Sequence, residues 1–355
     1  MTTTRRASAN RSLVIMLAGI VILMSALNPQ RFPTLGNLIS MSYQLPIIAF
    51  LAIGMMVTML SGGINLAIVA TTNFTGIVTV FILQGFMGKA TADASIWISL
   101  AAMGGGLAAA LLVGAAMGWL IAYVEVPAIL ATLGVMTLLN GINVVLTKGY
   151  TLSGFPPFLL GIGNGTVFAV PIPFIILIVV CLLLAVVLNR TVFGVSLYLL
   201  GANPVAAKFS NVNVRSVLMR EYMLSAFFSA LTSFVMMGQL NSVKANYAES
   251  YLLVAVLACF LGGIDPFGGA GKLSGIMLAV VILQLVSTGV NLLRMDPFFI
   301  QAMWGFIIIA VVAANFFGAR VRERRRLRTA RGDQEMAGRA GTPSAPPVPP
   351  APPEG

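Results

Sequence analysis

The 355-residue chain contains no histidine, two cysteines and only 9% charged residues. Each shortage excludes something. A soluble domain carries roughly 25% charged residues, so this chain cannot cover a water-facing surface of its own size. Without histidine there is no imidazole base for a Ser/His or Cys/His nucleophile and no His-built metal site. Cys181 and Cys259 both lie in apolar runs, which argues against a disulfide framework or a CxxC redox site. What remains is 58% hydrophobic, with a mean hydropathy of +0.97. The chain therefore reads as an all-α integral membrane protein, whose length counts spans rather than globular cores.

A crossing helix needs about 20 mostly apolar residues. Ten candidate spans follow: Leu13–Leu27, Leu38–Leu60, Ile64–Phe86, Ile96–Val124, Pro127–Leu146, Ile172–Leu188, Val217–Gln239, Tyr251–Gly262, Leu273–Leu293 and Phe298–Phe317. The first, behind Arg5, Arg6 and Arg11, has the charge pattern of a signal peptide but no convincing cleavage site, and reads as an uncleaved anchor. The eighth is short for a full crossing. With both termini cytoplasmic, inside segments hold 16 of the 21 Lys and Arg and outside segments hold 5. This satisfies the positive-inside rule and favours an even count near ten, or eight or eleven if a short segment is re-entrant. The basic excess belongs to membrane orientation rather than to nucleic acid, because it clusters at the termini.

The organisation expected is an N-terminal cytoplasmic segment (1–12), a transmembrane domain (13–317) and a cytoplasmic tail (318–355). The tail is a polybasic run, Ala319–Arg331, suited to anionic lipid, followed by a disordered Pro-rich end. Within the domain, segment 189–221 is an inside loop with four bases and one acid. Segment 147–170 is an outside stretch, Gly- and Pro-broken yet apolar, which suggests a packed cap or docking surface.

Two Gly-Gly pairs interrupt apolar runs: Ser61-Gly62-Gly63-Ile64-Asn65 and Leu261-Gly262-Gly263-Ile264-Asp265. They read either as ordinary turns using glycine at positive φ or as breaks in membrane helices, with Asn65 and Asp265 capping the helices that follow. Breaks at corresponding places in two halves would point to a transport pathway. The candidate path is lined by uncharged polar residues, Asn65, Thr72, Asn73, Asn140 and Asn291, although such residues more often bond helices together. All ten acids fall at span ends, in loops or in the tail, so no mid-bilayer carboxylate offers a proton-driven mechanism. No Walker A fits: around Lys272, Pro266 and Leu273 stand where Gly and Ser/Thr are required. Uphill transport would need energy from a partner or from an ion site of uncharged oxygens.

Arg190-Thr191-Val192-Phe193-Gly194, Tyr198, Gly201-Ala202-Asn203-Pro204-Val205-Ala206-Ala207 and Ser210-Asn211-Val212 resemble the cytoplasmic coupling loop of sugar ABC-importer permeases. The resemblance runs over about residues 40–317. It takes in Ala52-Ile53-Gly54-Met55 before Ser61-Gly62-Gly63-Ile64, Pro127 with Thr132-Leu133-Gly134, Gly268-Gly269-Ala270-Gly271, and Gly289 with Asn291-Leu292-Leu293. The chain is similar to ribose/xylose/galactose-type permeases, with Asn65 where the family motif usually has Asp. The resemblance implies the ABC-importer permease fold with broken or re-entrant helices. It implies a second permease copy or a paralogue, two separate ABC ATPase domains that bind the ATP, and a periplasmic or lipid-anchored sugar-binding protein. Contact with the ATPases would fall to Gly201, Asn203, Ala206, Ala207 and Ser210. The expected function is passage of a monosaccharide or polyol across a bacterial inner membrane, with no catalysis, cofactor or metal of its own. Rival readings are a branched-chain amino-acid ABC permease, a stand-alone secondary carrier and, least favoured, a membrane-embedded enzyme.

Overall fold

In the computed structural model, the described residues are 3–310 apart from 89, 297, 298 and 301, together with 313. Two units are distinguished, 1–307 and 308–355, and all elements named below lie in the first. Among the described residues up to 292, twelve α-helices follow one another. They are α1 (Thr3–Leu27), α2 (Leu35–Leu60), α3 (Ile68–Met87), α4 (Ile96–Ala122), α5 (Ala128–Thr147), α6 (Pro157–Asn164), α7 (Ile172–Arg190), α8 (Val192–Ala202), α9 (Pro204–Phe209), α10 (Val214–Leu240), α11 (Tyr251–Leu261) and α12 (Leu273–Leu292). Residues 299–300 and 302–307 are also helical, as are 308–310 and 313 of the second unit. The rest of the tenth candidate span, and the whole tail, fall outside the described residues.

Among the described residues seven helices, α2–α5, α7, α10 and α12, are long and apolar enough to cross a membrane. The sequence-based starts shift by more than a residue in four places. α1 begins at Thr3 rather than Leu13, α2 at Leu35 rather than Leu38, α3 at Ile68 rather than Ile64, and α10 at Val214 rather than Val217. The last shift has a local cause: the Asn213 side chain accepts the Ser216 N–H at 3.0 Å and so caps the helix there. Thr34, Thr191 and Asn203 cap α2, α8 and α9 in the same way, so the free amides of those helix starts find oxygen.

Burial sorts the helices into a core and a shell. The most apolar window of α2 is 89% buried, whereas those of α4, α5 and α7 are 22% buried. A helix apolar all round belongs in the middle of a bundle. α10 packs along α2, α3, α4 and α6, and α12 packs on α1, α2 and α11. The outer faces of the shell helices keep Leu112, Leu138, Val145 and Leu182 exposed, as lipid contact requires.

Close approach in the core depends on small side chains. Ala102, Gly106, Ala110, Gly114, Gly118 and Ala122 recur every four residues along α4 and are all buried. A Cβ at Gly114 would lie 2.7 Å from the Ala226 Cβ and 2.9 Å from the Met223 Cα of α10, so the two backbones touch there. In lipid, where apolar burial gives no advantage over tail contact, such backbone approach supplies the dispersion that holds helices together.

Segment 147–170 is folded. Its strand β1 (Leu152–Ser153) pairs antiparallel with β4 (Ser242–Val243), in the register Leu152↔Val243 and Ser153↔Ser242. α6 then crosses α10 where Gly163 meets Gly238, and Asn164 Nδ2 donates to the Gly238 carbonyl at 2.6 Å. A hairpin of β2 (Thr166–Val167) and β3 (Val170–Pro171) leads into α7. Its turn residues, Phe168 and Ala169, hold φ at +49° and +63° without glycine.

Gly114→Leu should destabilise the protein by about 1–3 kcal/mol through overpacking. Gly134→Leu, with open space around Gly134, should be tolerated. Thermal challenge in detergent followed by size-exclusion chromatography measures both; equal losses would refute the packing argument.

Candidate translocation and coupling site

The chain between α2 and α3 is non-helical, so its backbone groups need partners inside the protein. They have them. Gly63 N donates to the Thr58 carbonyl at 2.9 Å, Gly269 N to the Leu60 carbonyl at 2.9 Å, and the Thr132 hydroxyl of α5 to the Ile64 carbonyl at 3.0 Å. The other side of the break lies on α10. The Ser61 hydroxyl donates to Glu221 Oε1 at 2.7 Å, and Asn65 Nδ2 donates to the Ser225 hydroxyl at 2.9 Å. Between them the Tyr222 hydroxyl occupies the space beside Gly63, where a Cβ would be 2.6 Å away. Alternate positions of the break, 61, 63 and 65, thus meet one face of α10.

The break also has a second face. Gly62, at φ +92°, packs against the 265–271 turn, and a Cβ on Gly268 would lie 2.7 Å from Gly62 N and 2.9 Å from the Gly201 Cα. A Cβ on Gly201 would run into the Leu60 carbonyl and Gly269 N. The Tyr198 hydroxyl of α8 reaches the Gly271 carbonyl at 3.1 Å. Three backbone segments, the end of α2, the end of α8 and the 265–271 turn, are in van der Waals contact at glycines.

Both Gly-Gly pairs stand at helix ends with one glycine at positive φ: Gly62 and Gly63 follow α2, while Gly262 ends α11 against Ile276 of α12 and Gly263 stands at φ +77° in open space. The glycine pair that meets Ser61–Gly63 is Gly268–Gly269. The geometry corrects one expectation, the capping role. Neither Asn65 nor Asp265 caps a helix. Ala67 and Lys272 hold the N-cap positions of α3 and α12 without side-chain bonds. Asn65 and Asp265 accept the N–H two residues on, from Ala67 and Phe267, both at 3.0 Å, and so shape turns ahead of the helices.

Of the residues expected on the loop 189–221, Gly201 and Ala207 face the protein, Ala206 is half-buried, and Asn203 and Ser210 are exposed at the ends of α9. The outward apolar surface comes from residues that sequence reasoning did not single out: Val192, Val195, Val205, Phe209 (88% exposed) and, on the 265–271 turn, Phe267 (88% exposed). A cavity of about 730 Å³ opens beside them, lined by Ser61, Leu200, Lys208 and Arg215 among others.

The expected path residues scatter. Asn65 and Thr72 are buried and bonded within the protein. Asn73 is buried and bridges to a non-helical segment, donating to the Ala245 carbonyl at 2.8 Å and accepting from Ala248 N at 3.1 Å. That segment precedes α11, whose 11 residues span only about 16 Å, roughly half a hydrocarbon core. Asn140 is half-buried with a carbonyl oxygen that has no partner among the described residues, and its neighbour Asn143 is fully buried with the same deficit. Asn291 is exposed.

Glu221 is a correction. It was expected at a span end, but it lies seven residues into α10, fully buried, with Ser61 as its bonded partner. The signal was present in the alternation at positions 213–222: an Asn cap at 213 would have started the helix early and carried the carboxylate inside.

The family model described as branched-chain amino acid transport system, permease component, matches residues 37–314. Ribose import permease protein RbsC of Escherichia coli K12 is 30% identical over 309 residues, covering 86% of this chain and 92% of that protein. RbsC of Haemophilus influenzae is 28% identical over 311 residues, at 86% and 93% coverage. The L-arabinose transport system permease protein AraH of Escherichia coli K12 is 25% identical over 299 residues, at 84% and 88% coverage. No solved structure matches the chain significantly. Matched by the family model over residues 37–314, most of its length, and at this level of identity to a relative, the chain belongs to this family of membrane transport permease components.

Proposed function

We propose that this protein is the permease subunit of an ATP-driven importer and forms the passage for a monosaccharide or related polyol across a bacterial inner membrane. The relatives named above are ribose and arabinose permeases, and a third, AlsC of Escherichia coli, is named for D-allose. These names favour a sugar over the branched-chain amino acids of the family description. A hydroxylated neutral substrate also suits a chain whose intramembrane polar groups are mostly amides and hydroxyls.

The observation that carries the reading is the exposure of Val192, Val195, Val205, Phe209 and Phe267 on α8, on α9 directly after it and on the 265–271 turn, with α8 and the turn meeting α2 at the glycine contact. Apolar side chains so exposed outside the long helices mark a partner surface. The partner in this reading is a pair of ATPases, which bind the ATP that this chain has no Walker A to hold. α8 and α9 form the cytoplasmic coupling element. Asn203 fixes the start of α9 by accepting from Val205 N and Ala206 N, both at 3.0 Å, and so presents Val205 and Phe209 outward.

About ten segments cross or enter the membrane, with both termini cytoplasmic; the apolar part of α1 (Arg11–Leu27) and α11 are shorter members. The opposite face then carries α6 and the hairpin, and receives the sugar-binding protein. Phe168, 98% exposed on a turn held at positive φ, is the foremost contact there. A second permease copy or a paralogue completes the passage between subunits. The open carbonyl oxygens of Asn140 and Asn143 offer acceptors to a sugar, while Asn65 and Asn73 hold the broken segments that border the path.

The test is reconstitution of the permease with its ATPase and binding protein in vesicles, offered radiolabelled ribose, L-arabinose, D-allose and leucine. ATP-dependent accumulation of a sugar and not of leucine is expected; leucine uptake, or uptake without ATP hydrolysis, would overturn the reading. Gly201→Val should separate α8 from the Leu60 carbonyl and lower transport about tenfold or more, in keeping with overpacking of one to three kcal/mol. Phe209→Ala should weaken co-purification of the ATPase while leaving the permease folded. Undiminished transport in the first variant and undiminished co-purification in the second would each count against α8–α9 as the coupling element.

A further inference from the structure

Glu221 has no place in the transport path or on the partner surface, yet it is a fully buried carboxyl in a long apolar helix. Burying such a group inside a membrane span is costly unless it is bonded, and groups of this kind are retained where they act. Its bonded partner is Ser61 of the first break, at 2.7 Å; the Ser61 hydroxyl also stands 2.9 Å from the Thr58 carbonyl of its own helix, so its single proton has two acceptors in reach, the Glu221 oxygen being the nearer. Glu221 Oε2 and the Tyr222 hydroxyl are buried without partners among the described residues.

Ser61 occupies a particular position. The residue before it, Leu60, accepts from Gly269 N, and the residue after it, Gly62, packs on the Phe267–Gly268 backbone. Gly201 and Ala202 of α8 touch the same glycines. Any displacement of α8 therefore pushes on the residues flanking Ser61. Ser61 also lines the cavity of about 730 Å³, so the break has room to move on that side. Glu221, by contrast, is fixed in α10, which is locked to α4 along the Gly114 contact and, at its far end, to α6 at Gly238. A pull on Glu221 acts on a rod of 27 residues, about 40 Å long, that reaches from the break to the opposite face.

We propose that Glu221 is a positioning residue for transport: its hydrogen bond with Ser61 is the link through which movement of α8 at the glycine contact is passed to α10 and so to the α6 face. Packing alone would let the break slide over α10. The bond at Ser61 makes the two move together, and the open Oε2 gives the carboxyl a second acceptor for Ser61 to reach as the break shifts. The inference rests on the ATP-driven reading above.

The experiment uses the whole importer in vesicles, with radiolabelled ribose or L-arabinose, whichever the wild type accumulates, and measures solute delivered per ATP hydrolysed. Ser61→Ala and Glu221→Met should each lower that ratio about fivefold or more, a coupling loss of the usual size between distant sites. The double variant should be no worse than the poorer single variant, because both remove one link. Glu221→Gln, whose amide oxygen still accepts from Ser61, should retain most of the ratio, a rescue that simple loss of folding would not produce. The inference is overturned if both single variants stay within about twofold of wild type, if their losses multiply in the double variant, or if Glu221→Gln is as impaired as Glu221→Met. Should Glu221→Met fail to assemble, Ser61→Ala decides alone, since it removes one oxygen from a half-exposed site. A wild-type complex that moves no sugar would defeat the functional reading as well, whereas a coupled wild type with unaltered variants defeats only this inference.

Discussion

Unpaired backbone polar groups cannot be left in lipid, and this constraint organises the protein. The non-helical links between α2 and α3 and ahead of α11 are tolerable only because other parts of the chain reach in to bond them. Leu60, Thr58 and Ile64 give their carbonyls to three different donors, and Ala245 and Ala248 are both taken by Asn73. Each irregular segment is therefore fastened to a neighbour by polar bonds as well as by packing. A membrane protein whose irregular segments are tied in this way can move them only by moving, or exchanging, those partners.

The second organising fact is the distribution of small residues. Along α4 they form a continuous stripe at a spacing of four, against which α10 packs at Gly114 and Gly118 and α3 packs, through Thr75 and Thr79, at Gly106. At the α2–α8–turn junction they form a point contact of backbones instead. A stripe fixes a helix at successive turns and leaves it one arrangement. A point contact fixes only a position and leaves the angle free. The first makes a rigid pair, the second a pivot, and the same residue type serves both because only side-chain absence is needed.

Much of the helical layout was legible in the sequence, because runs of 18 or more apolar residues leave little ambiguity about their state. The seven long helices fall on expected spans, and the short eighth span proved to be a half-length helix behind a run of turns. Segment 189–221 was expected as a loop; it folds as the end of α7, then α8 and α9, then the start of α10, with Asn203 and Ser210 at the ends of α9. What could not be read was partnership. That Gly62 meets Gly268 is a matter of three-dimensional approach across 206 residues, which no local pattern in the sequence marks. Asn65 and Asp265 have the chemistry of caps, but the chain turns once more before either helix begins, so their oxygens close turns instead. The α4 stripe was visible at a period of four and passed over among 36 glycines.

Placement of the buried carboxyl shows why rigid and pivoting contacts must occur together. If α10 were free to shift against α4, force applied at Ser61 would be dissipated in that slippage before reaching the other face. If the α2–α8–turn junction were as extensive as the α4 seam, α8 could not move without unpacking the core. Densely packed interiors switch between discrete arrangements rather than deforming smoothly. A bundle that transmits motion across a membrane therefore needs a stiff rod, a narrow pivot and a polar bond where the two meet. In the proposed relay α10 is the rod and the glycine junction the pivot; Glu221 stands where they join, with Tyr222 and Ser225 holding the next two positions of the same break.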